Sequence, residues 1–176
     1  LFKDEPAKPF VEDCQIDTDL EILLPDQYVN AIAERLALYR ELDNLENAEQ
    51  LAGFESRLID RFGPIPEQGI QLLETIRLRW VAKALGFEKL ILKHNTLVGY
   101  FVSDPESDYY QGAGFALILN FIKTHPQKAV MRQKNEKLTL RFENVRTITE
   151  AISSLADISP DRTRPLLLVP ERETVE

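Results

Sequence analysis

The sequence predicts an α+β fold: an N-terminal strand and three-helix segment, followed by a mixed or antiparallel sheet with two further helices. Three observations predict it. Between residues 27 and 85 apolar side chains recur at intervals of three and four, the period of a helix with one buried face. That stretch is broken at Gly63-Pro64-Ile65-Pro66 and closed at Gly86. From Leu90 onward short segments alternate with period two, the signature of strands, and segments of helical spacing stand between and after them.

Taken in order, residues 1–14 hold Pro6, Pro9 and four acids without periodicity and are expected to be linker. Ile16, Leu20, Ile22 and Leu24 fall on even positions and predict a strand, ended by Pro25-Asp26, with Asp26 placed to cap the next helix. A helix near 27–45 puts Val29, Ile32, Leu36 and Tyr39 on one stripe. Asn47 with Gln50 resembles a capping box and starts a second helix through Leu51, Phe54, Leu58 and Phe62. Gly63 fits the position past a helix end where a Cβ is strained, Pro64 forbids continuation, and Pro66 suits the first turn of a third helix. That helix, roughly 66–85, is expected to bury Ile70, Leu73, Ile76, Trp80 and Ala84, with Trp80 largely enclosed between helix and sheet.

Beyond Gly86 the spacing predicts a hairpin over Leu90–Leu92 and Leu97–Val102, turning at His94-Asn95-Thr96. A polar loop at 103–112 leads to a helix over 113–123 with Phe115, Leu119 and Ile122 on one side. A second hairpin over Lys128–Arg132 and Leu138–Phe142 turns at Lys134-Asn135-Glu136. Asn144 is placed to cap a last helix burying Val145, Ile148, Ile152 and Leu155. One domain over 15–158 is therefore expected, with 159–176 an extended tail whose apolar middle, Leu166–Val169, can dock as a strand.

Charge and composition narrow the function classes. Residues 1–62 hold six Lys or Arg against fifteen Asp or Glu, and the remainder is nearly balanced, giving the net −8. An acidic first third repels a phosphate backbone and suits a basic protein surface. A single cysteine, Cys14, rules out an internal disulfide, and with no histidine beside it an inert thiol is expected. No apolar run reaches membrane-spanning length, and no signal peptide is expected. The chain starts at Leu1 and holds one methionine, Met131, so a piece of a longer protein is expected.

Catalytic signals are weak. Gly112-Ala113-Gly114 lacks a preceding strand and a third glycine, so it is no phosphate cradle, and there is no Walker A sequence. His94 and His125 stand alone, without partners at metal-ligand spacing. The carboxylates allow a third reading, a small carboxylate-dependent hydrolase, but no pair is singled out. Arg77, Arg79 and Lys83 make a modest basic strip near Trp80, and carry an alternative reading as a nucleic-acid-binding accessory domain. Tyr109-Tyr110 can stack on a base, but beside Asp104, Glu106 and Asp108 it is expected to cover core.

Four stretches in order carry a resemblance: Leu24-Pro25-Asp26-Gln27-Tyr28-Val29, Arg35 to Arg40, Leu58 to Pro66, and Leu78 to Gly86. Together they resemble the C-terminal domain of the bacterial transcription-repair coupling factors, the Mfd family. The resemblance implies a parent that is a cytoplasmic, ATP- and magnesium-dependent translocase on duplex DNA. That parent releases RNA polymerase stalled at lesions and recruits UvrA for nucleotide-excision repair. It implies that this domain is not an enzyme and holds no cofactor or metal. Its implied role is to fold against a UvrB-like N-terminal module of the same chain and mask the UvrA-binding surface. The intramolecular contact is expected at 43–62, with Asp60 foremost and Arg61, Arg57, Glu55, Glu49 and Glu46 around it. The structural corner is Phe62, Gly63, Pro64 and Pro66. Arg57 departs from the family pattern, which is often acidic there.

Overall fold

A computed structural model describes residues 10–169; residues 1–9 of the linker expected over 1–14 and the end of the tail lie outside the described residues. The chain runs β1 (Gln15–Thr18), α1 (Ile32–Asp43), α2 (Ala48–Phe62), α3 (Glu67–Leu85), β2 (Phe87–Lys93) and β3 (Thr96–Phe101). After a 3₁₀ turn at Asp108–Gln111 come α4 (Ala113–Thr124), β4 (Val130–Lys134), β5 (Lys137–Glu143), α5 (Ile148–Ala156) and α6 (Pro160–Leu167). The fold is α+β, with one five-stranded mixed sheet in the order β1-β2-β3-β5-β4. Only β1 runs parallel to its neighbour.

Local chemistry sets most boundaries. The Asn47 side chain accepts the Gln50 N–H at 2.9 Å, and the Gln50 side chain in turn accepts the Glu46 N–H at 2.7 Å. Two orphan donors at the start of α2 are thus satisfied, one of them a residue earlier than in the usual capping box. Gly63 ends α2 with φ +86°, and Gly86 ends α3 in the left-handed region with φ +93°. Both hairpins close on two residues with positive φ, His94-Asn95 and Asn135-Glu136. Such turns match the right-handed twist of the strands they join.

The core divides at α3. Leu73 and Ile76 pack with Leu24, Leu42, Leu51, Phe54 and Leu58 in a cluster between the first three helices. Leu78, Val81, Ala82 and Leu85 face a second cluster built on Leu90, Leu92, Leu97, Leu140 and Phe142 of the sheet. A helix buried on two sides cannot carry one stripe, so the expected stripe on α3 is corrected. Ile70 and Ala84 are exposed, and Trp80 is half-buried against the helical cluster instead of enclosed beside the sheet.

Other faces shift for the same reason. Ile32 and Leu36 of α1 are exposed, while Leu38, Tyr39 and Leu42 turn inward, and Val29 is buried in the loop ahead of the helix. Asp26 does not cap α1; it pairs with Arg35 at 3.4 Å. In α4 the buried residues are Phe115, Ile118 and Phe121, and Leu119 is exposed. Thr147, not Asn144, caps α5, accepting the Glu150 N–H at 3.0 Å. Tyr109 and Tyr110 cover core, their hydroxyls donating to the carbonyls of Leu85 and Val102.

Both ends of the described chain are more ordered in their packing than the composition suggested. Val11 and Cys14 are buried in the sheet cluster, and burial pushes the Cys14 thiol up to about 12. The segment after Ser159 forms helix α6 instead of an extended tail or docked strand. Thr163 anchors it, its buried hydroxyl within reach of the Ser159 carbonyl at 3.0 Å and the Ala156 carbonyl at 3.1 Å. Gln71, another buried polar residue, ties the layers together by accepting the Ile148 N–H at 2.8 Å.

Gly53 sits in the middle of α2 on the exposed side, and a Cβ there meets nothing within 4 Å. A helical glycine costs about 1 kcal/mol relative to alanine. Gly53→Ala is therefore expected to stabilise the domain by roughly 0.5–1 kcal/mol, read as a raised urea midpoint at unchanged m-value. An unchanged or lowered midpoint contradicts the open environment of that Cα.

Candidate protein-contact site at the α2 corner

The corner at the end of α2 is pinned from below by Tyr28. Its hydroxyl donates to the Gly63 carbonyl at 2.7 Å, with the Leu58 carbonyl at 3.2 Å. Its ring meets that of Phe62 at 5.6 Å. Partial burial raises the Tyr28 pKa, so the hydroxyl stays a donor. Position 28 lies in the loop ahead of α1, thirty or more residues from the carbonyls it holds, and no local signal marks that role.

Arg57 and Arg61 are committed within the domain. Arg57 pairs with Glu41 and lies over the Phe54 ring at 5.8 Å. Arg61 pairs with Glu34 and lies over the Phe62 ring at 5.0 Å. Both acids are on α1, so these two pairs clamp α2 to α1. Between them a groove of about 330 Å³ opens, floored by Leu38, Phe54, Leu58 and Phe62 and rimmed by Glu41, Arg57, Asp60 and Arg61. Asp60 is exposed and makes no hydrogen bond or ion pair among the described residues. The result is a carboxylate held on a rigid helix end beside a partly apolar groove, with its two cationic neighbours occupied elsewhere.

The remaining expected contact residues do not join that groove. Glu55 faces α3, with Arg77 at 3.9 Å. Glu49 and Asp60 lie eleven residues apart, about 16 Å along the helix at 1.5 Å per residue, though within about 20° of one another around its axis at 3.6 residues per turn. Glu46 borders a separate groove of about 460 Å³ with Glu12, Asp13, Asp43, Arg79, Trp80 and Lys83. The alternative basic strip is broken up. Arg77 pairs with Glu74 and Glu55, and Arg79 lies between Asp13 and Asp43 at 3.8 Å from each. Lys83 shares the groove with four acids, so these three cations do not form a free surface for phosphate.

No group of His, Cys, Asp or Glu among the described residues is arranged to hold a metal ion, and no helix among them is long and apolar enough to cross a membrane.

Comparison with known proteins gives these features a family setting. The model of the TRCF domain matches residues 18–112, which takes in the three helices, the first hairpin and the corner, starting at the last residue of β1. The transcription-repair-coupling factor of Rickettsia bellii is 30% identical over 164 residues, covering 90% of this chain and 14% of that protein. The transcription-repair-coupling factor of Escherichia coli K12 is 33% identical over 88 residues, covering 49% of this chain and 8% of that protein. A crystal structure of the C-terminal domain of transcription-repair coupling factor superposes with a TM-score of 0.66 at 18% identity, covering 85% of this chain and 96% of that one, and so shares the fold. This chain spans about a seventh of the length of such full-length relatives. It belongs to the transcription-repair coupling factor domain family.

Proposed function

We propose that this domain is a regulatory clamp within a bacterial, cytoplasmic transcription-repair coupling factor. In this reading the α2 corner docks on a UvrB-like N-terminal module of the same chain and covers the basic surface that otherwise takes UvrA. ATP, magnesium, duplex DNA and RNA polymerase belong to the rest of the parent, and this domain contributes no catalytic group. The observation that carries the reading is Asp60, a free carboxylate on a rigid corner whose neighbouring arginines are already paired.

A clamp must be shut at rest and still able to open. Contacts between domains of one chain are moderate in area and polar, and tethering supplies an effective concentration on the order of millimolar. A weak contact at Asp60 therefore suffices to keep the clamp mostly closed. Truncating one member of a desolvated charge pair costs about 2–5 kcal/mol, and reversing its charge adds repulsion. Asp60→Arg in the full-length parent is expected to raise UvrA capture toward that of the parent lacking this domain. The same substitution should leave the thermal stability of the isolated domain nearly unchanged, because Asp60 holds nothing within it. A pull-down comparing the three proteins decides the matter. If deletion of the domain fails to raise UvrA capture, the clamp is rejected; if deletion raises it and Asp60→Arg does not, only the contact residue is misplaced.

A further inference from the structure

The helices pack on one face of the sheet, and the other face is bare. Cross-strand register places Gln15, Lys89, Tyr100, Thr139 and Arg132 in one row across five strands of that bare face. A second row runs Asp17, Ile91, Val98, Arg141 and Val130. Lys93 lies beyond the second row, and Lys134 paired with Lys137 lies beyond the first. None of these side chains belongs to either core cluster.

Two properties separate this face from an ordinary solvated one. The first is charge. In a chain of net −8 its rows hold Lys89, Lys93, Arg132, Lys134, Lys137 and Arg141 against Asp17 and Glu143, with Glu88 and Glu136 bordering the face at one end. Lys93 pairs with Asp17 at 3.1 Å and Arg141 with Glu143 at 2.7 Å, so Asp17 and Glu143 are spent. The Arg141 hydrogen bond, with a second from Thr96, holds the Glu143 carboxyl below its usual range. Lys89, Arg132, Lys134 and Lys137 make no ion pair among the described residues. The second property is an apolar centre. The outward face of an antiparallel sheet is ordinarily polar, whereas here Ile91, Val98 and Tyr100 adjoin on the two strands β2 and β3, with Val130 at the β4 edge. A groove of about 260 Å³ opens at one end, with Lys89, Tyr100 and Lys137 in its wall beside Glu88, whose carboxylate accepts the Ser103 N–H at 3.1 Å, and Glu136.

We propose that the bare sheet face is a second docking surface, and that its occupant is an acidic amphipathic segment of a partner protein. Its apolar side chains would lie over Ile91, Val98 and Tyr100, and its carboxylates would reach the four unpaired cations around them. An apolar centre with a charged rim is the anatomy of a protein interface. A nucleic-acid strand fits less well: base stacking needs a series of aromatic platforms, and Tyr100 is the single aromatic of the rows. A phosphate backbone would gain nothing from Ile91 and Val98. The surface lies across the sheet from α2, so the inference does not depend on the clamp at Asp60.

The probe is a fluorescent 20-residue peptide with leucines along one helical face and glutamates along the other. Two controls accompany it, the same peptide with glutamine for glutamate and a 20-nucleotide oligothymidylate. At low salt the acidic peptide is expected to bind and to shift the backbone amide resonances of residues 89–93, 96–100 and 137–141, leaving those of α2 unmoved. The variant combining Lys89→Glu, Arg132→Glu, Lys134→Glu and Lys137→Glu should bind at least about tenfold more weakly. Ile91→Ser with Tyr100→Ala should weaken it by about fivefold or more without changing its salt dependence, which separates docking from charge attraction alone. Wild-type-like urea unfolding of both variants confirms that they remain folded. The proposal is overturned if the acidic peptide fails to bind at millimolar concentration, if its shifts map elsewhere, if the glutamine peptide binds as well, or if the oligothymidylate binds more tightly than the peptide.

Discussion

Gly86→Ala is expected to destabilise the domain by about 3–6 kcal/mol, a large share of the roughly 5–15 kcal/mol that folded domains possess. Two costs combine. At φ +93° an L residue is strained by about 1–2 kcal/mol. The added Cβ would also stand 2.2 Å from Tyr109 Cε1 and 2.5 Å from its hydroxyl oxygen. Tyr109 cannot yield cheaply. Its hydroxyl donates to the Leu85 carbonyl at 2.6 Å, and its ring sits among Phe10, Phe101, Tyr110 and Phe115. Overpacking a close-packed site typically costs about 1–3 kcal/mol, and displacing the hydroxyl forfeits roughly 1 kcal/mol more. Urea unfolding measures the loss, with Gly53→Ala as the matched control in which the same chemical change has the opposite sign. A cycle with Tyr109→Leu isolates the clash, since the penalty of Gly86→Ala should shrink once the ring is gone. A wild-type midpoint for Gly86→Ala would falsify the closeness of the helix end to that ring.

Phe54→Ala is the second large effect, expected at about 3–5 kcal/mol because the ring is fully buried and its loss leaves a cavity. Trp80→Ala, at a half-buried site, should cost clearly less despite the larger side chain. The ordering of the two is the test, since a tryptophan enclosed against the sheet would reverse it. The loss should also be uneven. Phe54 belongs to the cluster that holds α1 and α2 onto α3, which is distinct from the cluster under the sheet. Hydrogen exchange in Phe54→Ala should therefore rise more in α1 and α2 than in β2, β3 and β5. Uniform loss of protection would mean that the two clusters unfold as one. Phe54 also floors the groove beside Asp60, so in the full-length parent this variant should loosen the clamp as well.

Where a signal is complete within a few residues, it is legible in the sequence. Asn47 with Gln50, the Gly63-Pro64 break, Gly86 and the two hairpin turns each satisfy or forbid a particular backbone hydrogen bond or dihedral. No distant residue is needed for that. The period change after Gly86 determined the α+β class, and the stripe at Leu51, Phe54 and Leu58 was right because α2 packs on one side only. The resemblance rested on the same local stretches and led to the family that the relatives establish.

What only the tertiary structure decided is which neighbour each apolar face meets. Helix α3 lies between two clusters, so its pattern is the sum of two stripes, and Ile70, Trp80 and Ala84 cannot be ranked from spacing. Leu166 and Leu167, expected to dock as a strand, become helix because α3 and α5 offer α6 a place to pack, and a short apolar run has no distinguishing period. The charge on Asp60 is visible in the sequence, but its availability depends on Glu41 and Glu34 of another helix having taken Arg57 and Arg61. The basic sheet face is spread over residues 89–141, and its cations become neighbours only through strand register, which is set by pairing between segments far apart in the chain.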